Sequence, residues 1–206
     1  MSDSHMQTAV DPAAALPPFS GLTLPQIHLP ASESDCAEAV EAIREAGVAG
    51  FDTETRPVFT KGISAGGPHL VQFAIPSAAY LFQLHHVATV PAVSALLQSP
   101  QLLKVVFGLR EDRRQIVNRF GVEAEALLDL STHFRQQGIR RDVGVVTAVA
   151  MVLQQSFHKS KRISTSNWAA HTLRPLQLLY AANDAYAALV VYSHLQATKA
   201  RESLPR

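Results

Sequence analysis

Five side chains in this sequence can do chemistry together if the fold gathers them. Asp52 and Glu54 lie two residues apart in GFDTETRPVF, residues 50–59, directly after the small and apolar GVAG. That stretch reads as a strand, and residues i and i+2 of a strand face the same way, so the two carboxylates project side by side. A sheet interior is a poor place for them, because an unpaired buried carboxylate is costly or takes up a proton. Tyr180 and Asp184 in YAAND are four apart on a helical pattern and share a face. Asp112 opens the helix that follows the apolar LKVVFG, a strand-end position of the kind where open α/β sheets carry their sites. Four carboxylates brought together demand a counter-charge. With few soft ligands available, the natural one is a hard divalent cation bound through oxygen, Mg²⁺ or Mn²⁺. Two such ions a few Å apart clamp the attacking and leaving oxygens of a phosphoryl transfer.

Each piece alone has a plainer account. An Asp-x-Glu at a strand edge is most often a solvated pair. Asp112 suits the first turn of a helix, where the dipole favours an acid. Tyr180 alone reads as a core tyrosine. Asp184 is the unusual one, because it interrupts the apolar helix LLYAANDAYAALVVY and a charge there needs a partner. The joint pattern, in its order, is what points to chemistry.

The elements that must position these residues follow from periodicity and punctuation. Residues 1 to about 30 are rich in Pro and Ala and read as a flexible N-terminal arm, with a single domain over 31–206. ASESDCAEAVEAIREAG predicts a helix capped by Ser32 or Ser34, with Cys36, Ala39, Val40 and Ile43 as its apolar stripe and Gly47 as its stop. VAGFDTE, HLVQFAI and AYLFQL predict three strands joined as antiparallel hairpins. VPAVSALLQSP reads as a helix, LKVVFG as a short buried strand, and REDRRQIVNRFG as a helix ended by Gly121. EALLDLSTHFRQQG holds a strand or a helix start. DVGVVTAVAMVLQQSF predicts a buried helix capped by Asp142, HKSKRISTSNW a polar basic loop, and PLQLLYAANDAYAALVVYSHLQATKARE a long final helix with Pro175 in its first turn. Hairpins followed by alternating strands and helices predict an α/β domain with a mixed sheet flanked by helices.

FDTET, VVFGLREDRRQI and YAANDAYAAL resemble, in order, the three motifs of the DEDD 3′–5′ exonucleases. The resemblance covers roughly residues 48–195. It is strongest toward the branch with ribonuclease D and the Werner-syndrome exonuclease domain, where SNWAAHTLRPLQLLYAANDAYAAL is especially similar. One part of the family has His five positions before the last Asp, and here that position is Leu179. The other has Tyr four positions before it, here Tyr180, so the chain resembles the tyrosine branch. The resemblance implies a ribonuclease H-like fold and two divalent cations. It implies that Asp52 touches both ions, that Glu54 and Asp184 complete one site, and that Asp112 serves the other mainly through water. It further implies that Glu54 receives the 3′-hydroxyl, that Tyr180 positions the attacking water, and that a nucleoside 5′-monophosphate leaves. A phenol with a pKa near 10 is a poor base at neutral pH, so orientation is the first role of Tyr180.

Composition bounds the rest. The 206 residues are 47% hydrophobic and 17% charged, enough for one domain with a full core, and the net charge of +1 gives no general attraction to nucleic acid. Any such partner must meet local patches. Lys159, Lys161 and Arg162 in HKSKRIS, with Arg56 and Lys61 after the first motif, are candidates for phosphate contacts, with a solvated loop as the plain alternative. Thr55 is expected to approach the terminal nucleotide through its backbone. Trp168 is assigned to core packing ahead of base stacking. His85 and His86 lack the spacing of a transition-metal site and read as surface. The single cysteine, Cys36, rules out an intramolecular disulfide or a zinc cysteine cluster. With no signal-peptide pattern and no apolar run long enough to span a bilayer, the expected location is the cytoplasm, with no membrane partner. No helicase segment and no room for extra RNA-binding domains are visible, so accessible single-stranded DNA or RNA 3′ ends, or short oligoribonucleotides, are the expected substrates. A catalytically silent nucleic-acid-binding module and a protein-interaction domain are the alternatives; the complete acidic set disfavours the first.

Overall fold

The computed structural model describes residues 16–58, 66–108, 110–139 and 143–202, with the backbone alone at 110–112 and 202. Helix α1 (Glu33–Ala46) starts in a reciprocal cap: Asp35 N donates to Ser32 Oγ at 3.1 Å and Ser32 N to Asp35 Oδ2 at 3.0 Å. It ends at Gly47, whose φ of 67° lies in the left-handed region that glycine enters without strain. Its buried stripe of Cys36, Ala39 and Ile43 faces the sheet.

The sheet has six strands in the order β1-β4-β3-β2-β5-β6. Strands β2 (Val48–Glu54), β3 (Leu70–Ile75) and β4 (Ala78–Gln83) are the three expected strands, and they pair antiparallel. Strand β1 (Ile27–His28) runs parallel to β4, while β5 (Leu103–Val106) and β6 (Leu127–Asp129) extend the other side in parallel. Helix α2 (Thr89–Leu97) joins α1 on one face, over Phe51, Phe73 and Phe82. The expected mixed sheet flanked by helices is what forms. EALLDLSTHFRQQG holds both a strand, β6, and a helix, α4 (Leu130–Gln136), with Asp129 as its N-cap.

On the other face lies α7 (Pro175–Glu202), on Leu70, Ala74 and Leu81 through Ala181, Ala182 and Ala185. Its closeness to β2 rests on Gly50: a methyl there would overlap the Ala185 carbonyl and crowd Leu189. Gly50 therefore faces α7, and by the two-residue period so do Asp52 and Glu54.

Three segments differ from expectation. The helix read over DVGVVTAVAMVLQQSF is α-helical only in α5 (Val145–Ala148), with Gly144 as its N-cap, and continues as a π-helical turn over Val149–Leu153. Asp142, the expected cap, lies outside the described residues. Ala148 and Val149 are buried but Val146 and Met151 are exposed, so this helix presents only one side to the core. The basic loop contains a short helix, α6 (Lys161–Ser164), held at its end by Trp168 Nε1, which donates to Ser164 O at 3.0 Å. Of the arm, the described residues 16–30 lie on the domain. Leu22 is buried, and Asn183 of α7 accepts from Leu22 N at 2.6 Å and donates to its carbonyl at 3.1 Å.

Candidate active site

The site forms where the C-terminal end of β2 meets the middle of α7. Register puts Asp52 beside Gln72 and Glu54 beside Leu70, on the face that α7 covers. Asp184 precedes Ala185, the residue that closes on Gly50. One carboxylate oxygen from each of Asp52, Glu54 and Asp184 lies within 4.8 Å of the others, the one such grouping of potential metal ligands among the described residues. Asp112 lies in the first turn of α3 (Arg110–Phe120), and its side chain is outside the description. Of the four acids expected to converge, the fold brings three together, Asp52, Glu54 and Asp184.

Asp184 is 5% exposed. Its compensation is ionic: Lys159 Nζ stands 2.6 Å from Oδ2. The same ammonium lies 5.3 Å from the centre of the Tyr180 ring, within cation–π range. Burial opposes the Lys159 charge, but Asp184 and then Asp52 outweigh it and hold the ammonium above its usual range. Burial pushes the Asp184 carboxyl up, against the pull of Lys159 and the Tyr180 hydroxyl. Tyr180, half-buried with its ring 5.9 Å from that of Trp168, is pushed up to about 12, first by burial and then by Asp184. Trp168 itself is 1% exposed, a core residue that backs Tyr180.

The other expected contacts divide. Thr55 is half-buried at the end of β2, and its hydroxyl donates to Gln115 Oε1 at 2.9 Å, linking β2 to α3. Arg56 is exposed, its backbone N–H reaching His69 Nδ1 at 3.4 Å. Lys61 lies outside the described residues. Lys161 and Arg162 are exposed on α6 and do not line the cleft that holds the acids, whereas Lys159 does. Lys159, read in the sequence as a phosphate-contacting rim residue or a solvated one, points into the cleft and pairs with Asp184. That cleft, about 630 Å³, runs from Asp52 and Asp184 past Phe107 to Asp129 and Arg135. The last two went unread in the sequence, because an N-cap acid and a surface arginine carry no motif. His85 and His86 are joined by His171, whose ring centre is 4.5 Å from that of His85.

A sequence profile described as 3′–5′ exonuclease matches residues 27–198. Mouse bifunctional 3′–5′ exonuclease/ATP-dependent helicase WRN is 28% identical over 204 residues, covering 88% of this chain and 15% of the mouse protein. An Arabidopsis thaliana 3′–5′ exonuclease is 31% identical over 157 residues, covering 74% of this chain and 54% of the plant protein. The chain thus spans about half, or less, of these relatives. Trypanosoma brucei RNase D superposes with a TM-score of 0.74 at 21% identity, covering 82% of this chain and 64% of that one. That likeness bears out the ribonuclease H-like fold. With the profile running through both β2 and α7, the chain belongs to the DEDD-type 3′–5′ exonuclease family, of the ribonuclease D and Werner-exonuclease type.

Proposed function

We propose that the chain is a metal-dependent 3′–5′ exonuclease that shortens accessible single-stranded DNA or RNA from its 3′ end. The observation that carries this reading is the convergence of Asp52, Glu54 and Asp184 within 4.8 Å, beside Tyr180. The donor set is all oxygen, and it includes a buried carboxylate, Asp184, that already draws a cation to itself, which suits a hard divalent cation. Asp52, Glu54 and Asp184, with Asp112 by family resemblance, would hold two Mg²⁺ or Mn²⁺ ions. Such ions, when bound, neutralise the clustered acids, acidify water and offset charge on the scissile phosphate. Tyr180 orients the attacking water. With its pKa pushed up to about 12 it keeps its proton at neutral pH, so it acts as a fixed hydrogen-bonding group and not as a base. Glu54 receives the 3′-hydroxyl of the terminal nucleotide and the Thr55 backbone holds that nucleotide in place. Attack breaks the bond between phosphorus and the 3′-oxygen of the preceding nucleotide, releasing a nucleoside 5′-monophosphate and a new 3′-hydroxyl. Arg56, Lys61, Lys161 and Arg162 steady the strand through phosphates, which fixes position without reading sequence. An RNA strand is a reasonable occupant, since the Trypanosoma brucei RNase D of like fold was solved in complex with RNA U12.

The test is digestion of 5′-labelled single-stranded DNA and RNA with Mg²⁺ or Mn²⁺. Stepwise shortening from the 3′ end, impeded by a 3′-phosphate, is expected. Label appearing as a mononucleotide at the earliest times would show attack from the 5′ end and overturn the polarity. No cleavage of either strand with either ion would leave a silent binding module in its place.

A further inference from the structure

The cleft already contains a cation. Lys159 Nζ lies 2.6 Å from Asp184 Oδ2, is drawn also toward Asp52, and rests over the Tyr180 ring. A divalent ion of the Mg²⁺ class binds carboxylate oxygen at about 2.0–2.1 Å. It competes for that oxygen with an ammonium already in contact, because the two cations would stand a few Å apart in a partly buried site where like charges repel strongly. For one to bind there, the other gives way. Lysine can, because its side chain is a flexible stem of single bonds and is 32% exposed, while the Asp184 side chain is 3% exposed.

The segment carrying Lys159 is fixed at both ends, so its approach to Asp184 is built in. Ser156 N donates to Pro17 O at 2.8 Å, and Phe19 N to Ser156 O at 2.9 Å. The Phe19 and Phe157 rings meet edge to face at 5.2 Å. On the far side, Gln177 Nε2 donates to Ser166 Oγ at 3.0 Å and Trp168 anchors Ser164. Only the stem of Lys159 has to move for its ammonium to withdraw.

We infer that Lys159 is a resident counter-ion that holds the Asp184 position in the metal-free protein and must be displaced when a divalent cation binds. Metal binding is then an exchange, and Lys159 lowers the metal affinity that the carboxylates alone would give. The same ion pair keeps the metal-free site from being destabilised by a buried, uncompensated charge. This inference rests on the metal-binding reading of the cluster.

The test is Mn²⁺ titration, followed by the electron paramagnetic resonance of free Mn²⁺, of the wild type, Lys159→Met and Lys159→Arg. Lys159→Met removes the charge with little change of shape, and it should bind Mn²⁺ tighter by about tenfold or more. It should also melt at a lower temperature without metal and show a larger Mn²⁺-induced rise. Lys159→Arg keeps the charge and should stay near wild type in affinity. Equal or weaker binding by Lys159→Met, with the wild type binding normally, overturns the exchange and leaves the metal reading intact. No binding by any of the three proteins removes both. A second measurement does not depend on any variant's folding. In wild-type protein with ¹⁵N-labelled lysine, Mg²⁺ should shift the Lys159 ammonium resonance, and an unmoved resonance at saturating Mg²⁺ overturns the displacement.

Discussion

At the residue scale the functional reading turns on what each group near Asp184 contributes. Asp52→Asn keeps the size but removes a charge from the cluster, whereas Tyr180→Phe leaves every acid and deletes one hydroxyl. Positioned water-orienting or proton-transferring groups contribute about 10²–10⁴-fold. Asp52→Asn should therefore abolish cleavage and weaken Mn²⁺ binding, while Tyr180→Phe should lower kcat by about that factor with its Mn²⁺-induced melting shift unchanged. Paired nuclease rates and melting curves check both, and a Tyr180→Phe protein that cuts at the wild-type rate reduces Tyr180 to a packing residue. Gln72, beside Asp52 in the ladder, is fully buried, and among the described residues neither end of its amide finds a partner. Such an orphan costs about 1–3 kcal/mol, so Gln72→Leu should melt at or above the wild-type temperature. A marked fall would mean that the amide is satisfied in solution, by water or by the acids beside it. These residues were unequally legible. A two-residue spacing on a strand and a four-residue spacing on a helix fix directions, so Asp52 with Glu54 and Tyr180 with Asp184 could be read as pairs. Lys159 comes from a loop, where no period says which way a side chain turns, and Gln72 looks like any strand residue until its neighbours are known.

At the element scale the site depends on how near α7 comes to β2. Gly50 sets that distance, since a side chain there would meet the Ala185 backbone. Gly50→Ala must push the helix outward, carrying Asp184 away from Asp52 and Glu54. Overpacking of this kind costs about 1–3 kcal/mol, so the melting temperature should drop and the Mn²⁺-induced rise should shrink with it. A variant with wild-type melting and wild-type Mn²⁺ response would show that the spacing is set elsewhere. Lys104 plays a comparable part on the other face. It leaves β5 fully buried and donates to Leu96, Leu97 and Ser99 carbonyls at 3.2, 3.1 and 2.8 Å, closing the end of α2. Burial pushes its ammonium from the usual 10.5 down to about 8. Between those two values the unfolded chain holds a proton that the folded chain releases, so stability rises with pH across that window. Lys104→Met lacks this group, and the stability of wild type relative to the variant should therefore grow from about pH 8 to about pH 10.5 in urea titrations. A difference that stays flat or narrows would place the Lys104 pKa outside the window. Neither contact was visible beforehand. Hydrophobic periodicity gave β2 to β5 and both long helices, but not β1, which is two residues long and lies in the segment read as an arm; a glycine's role in helix approach and a lysine's role as a cap exist only once two elements meet. The π-helical turn after α5 was hidden for a related reason: an apolar run has the same composition whether one side or all sides are covered.

At the scale of the whole molecule the question is how the described N-terminal residues belong to the domain. Composition, rich in Pro and Ala, suggested an arm, because such sequences lack the periodicity that marks burial. The contacts of residues 17–22 are specific all the same. Leu22 sits in the α7-side core at 4% exposure, its backbone is held on both sides by Asn183, and Phe19 packs on Phe157 and Tyr186. Gly21 leaves room for the Asn183 side chain, which a methyl would strike. Burying one leucine stabilises by about 1.5–3 kcal/mol, and in a chain of this size each kcal/mol moves Tm by about 2–4 °C. Removing residues 1–22 should therefore lower Tm by about 5–10 °C. The carboxylate cluster should survive, because α7 is seated on β2 and β3 through its alanines and Gly50, not through the N-terminal segment. The truncated protein should accordingly keep a Mn²⁺-induced rise in Tm, from a lower starting point. Two measurements decide it: calorimetric melting of full and shortened chains without metal, and again at saturating Mn²⁺. An unchanged metal-free Tm would make the segment a loose arm after all. A lowered Tm with the Mn²⁺ response lost would mean that Asn183, through Leu22, holds the neighbouring Asp184 in place, making the N-terminal segment part of the site's support.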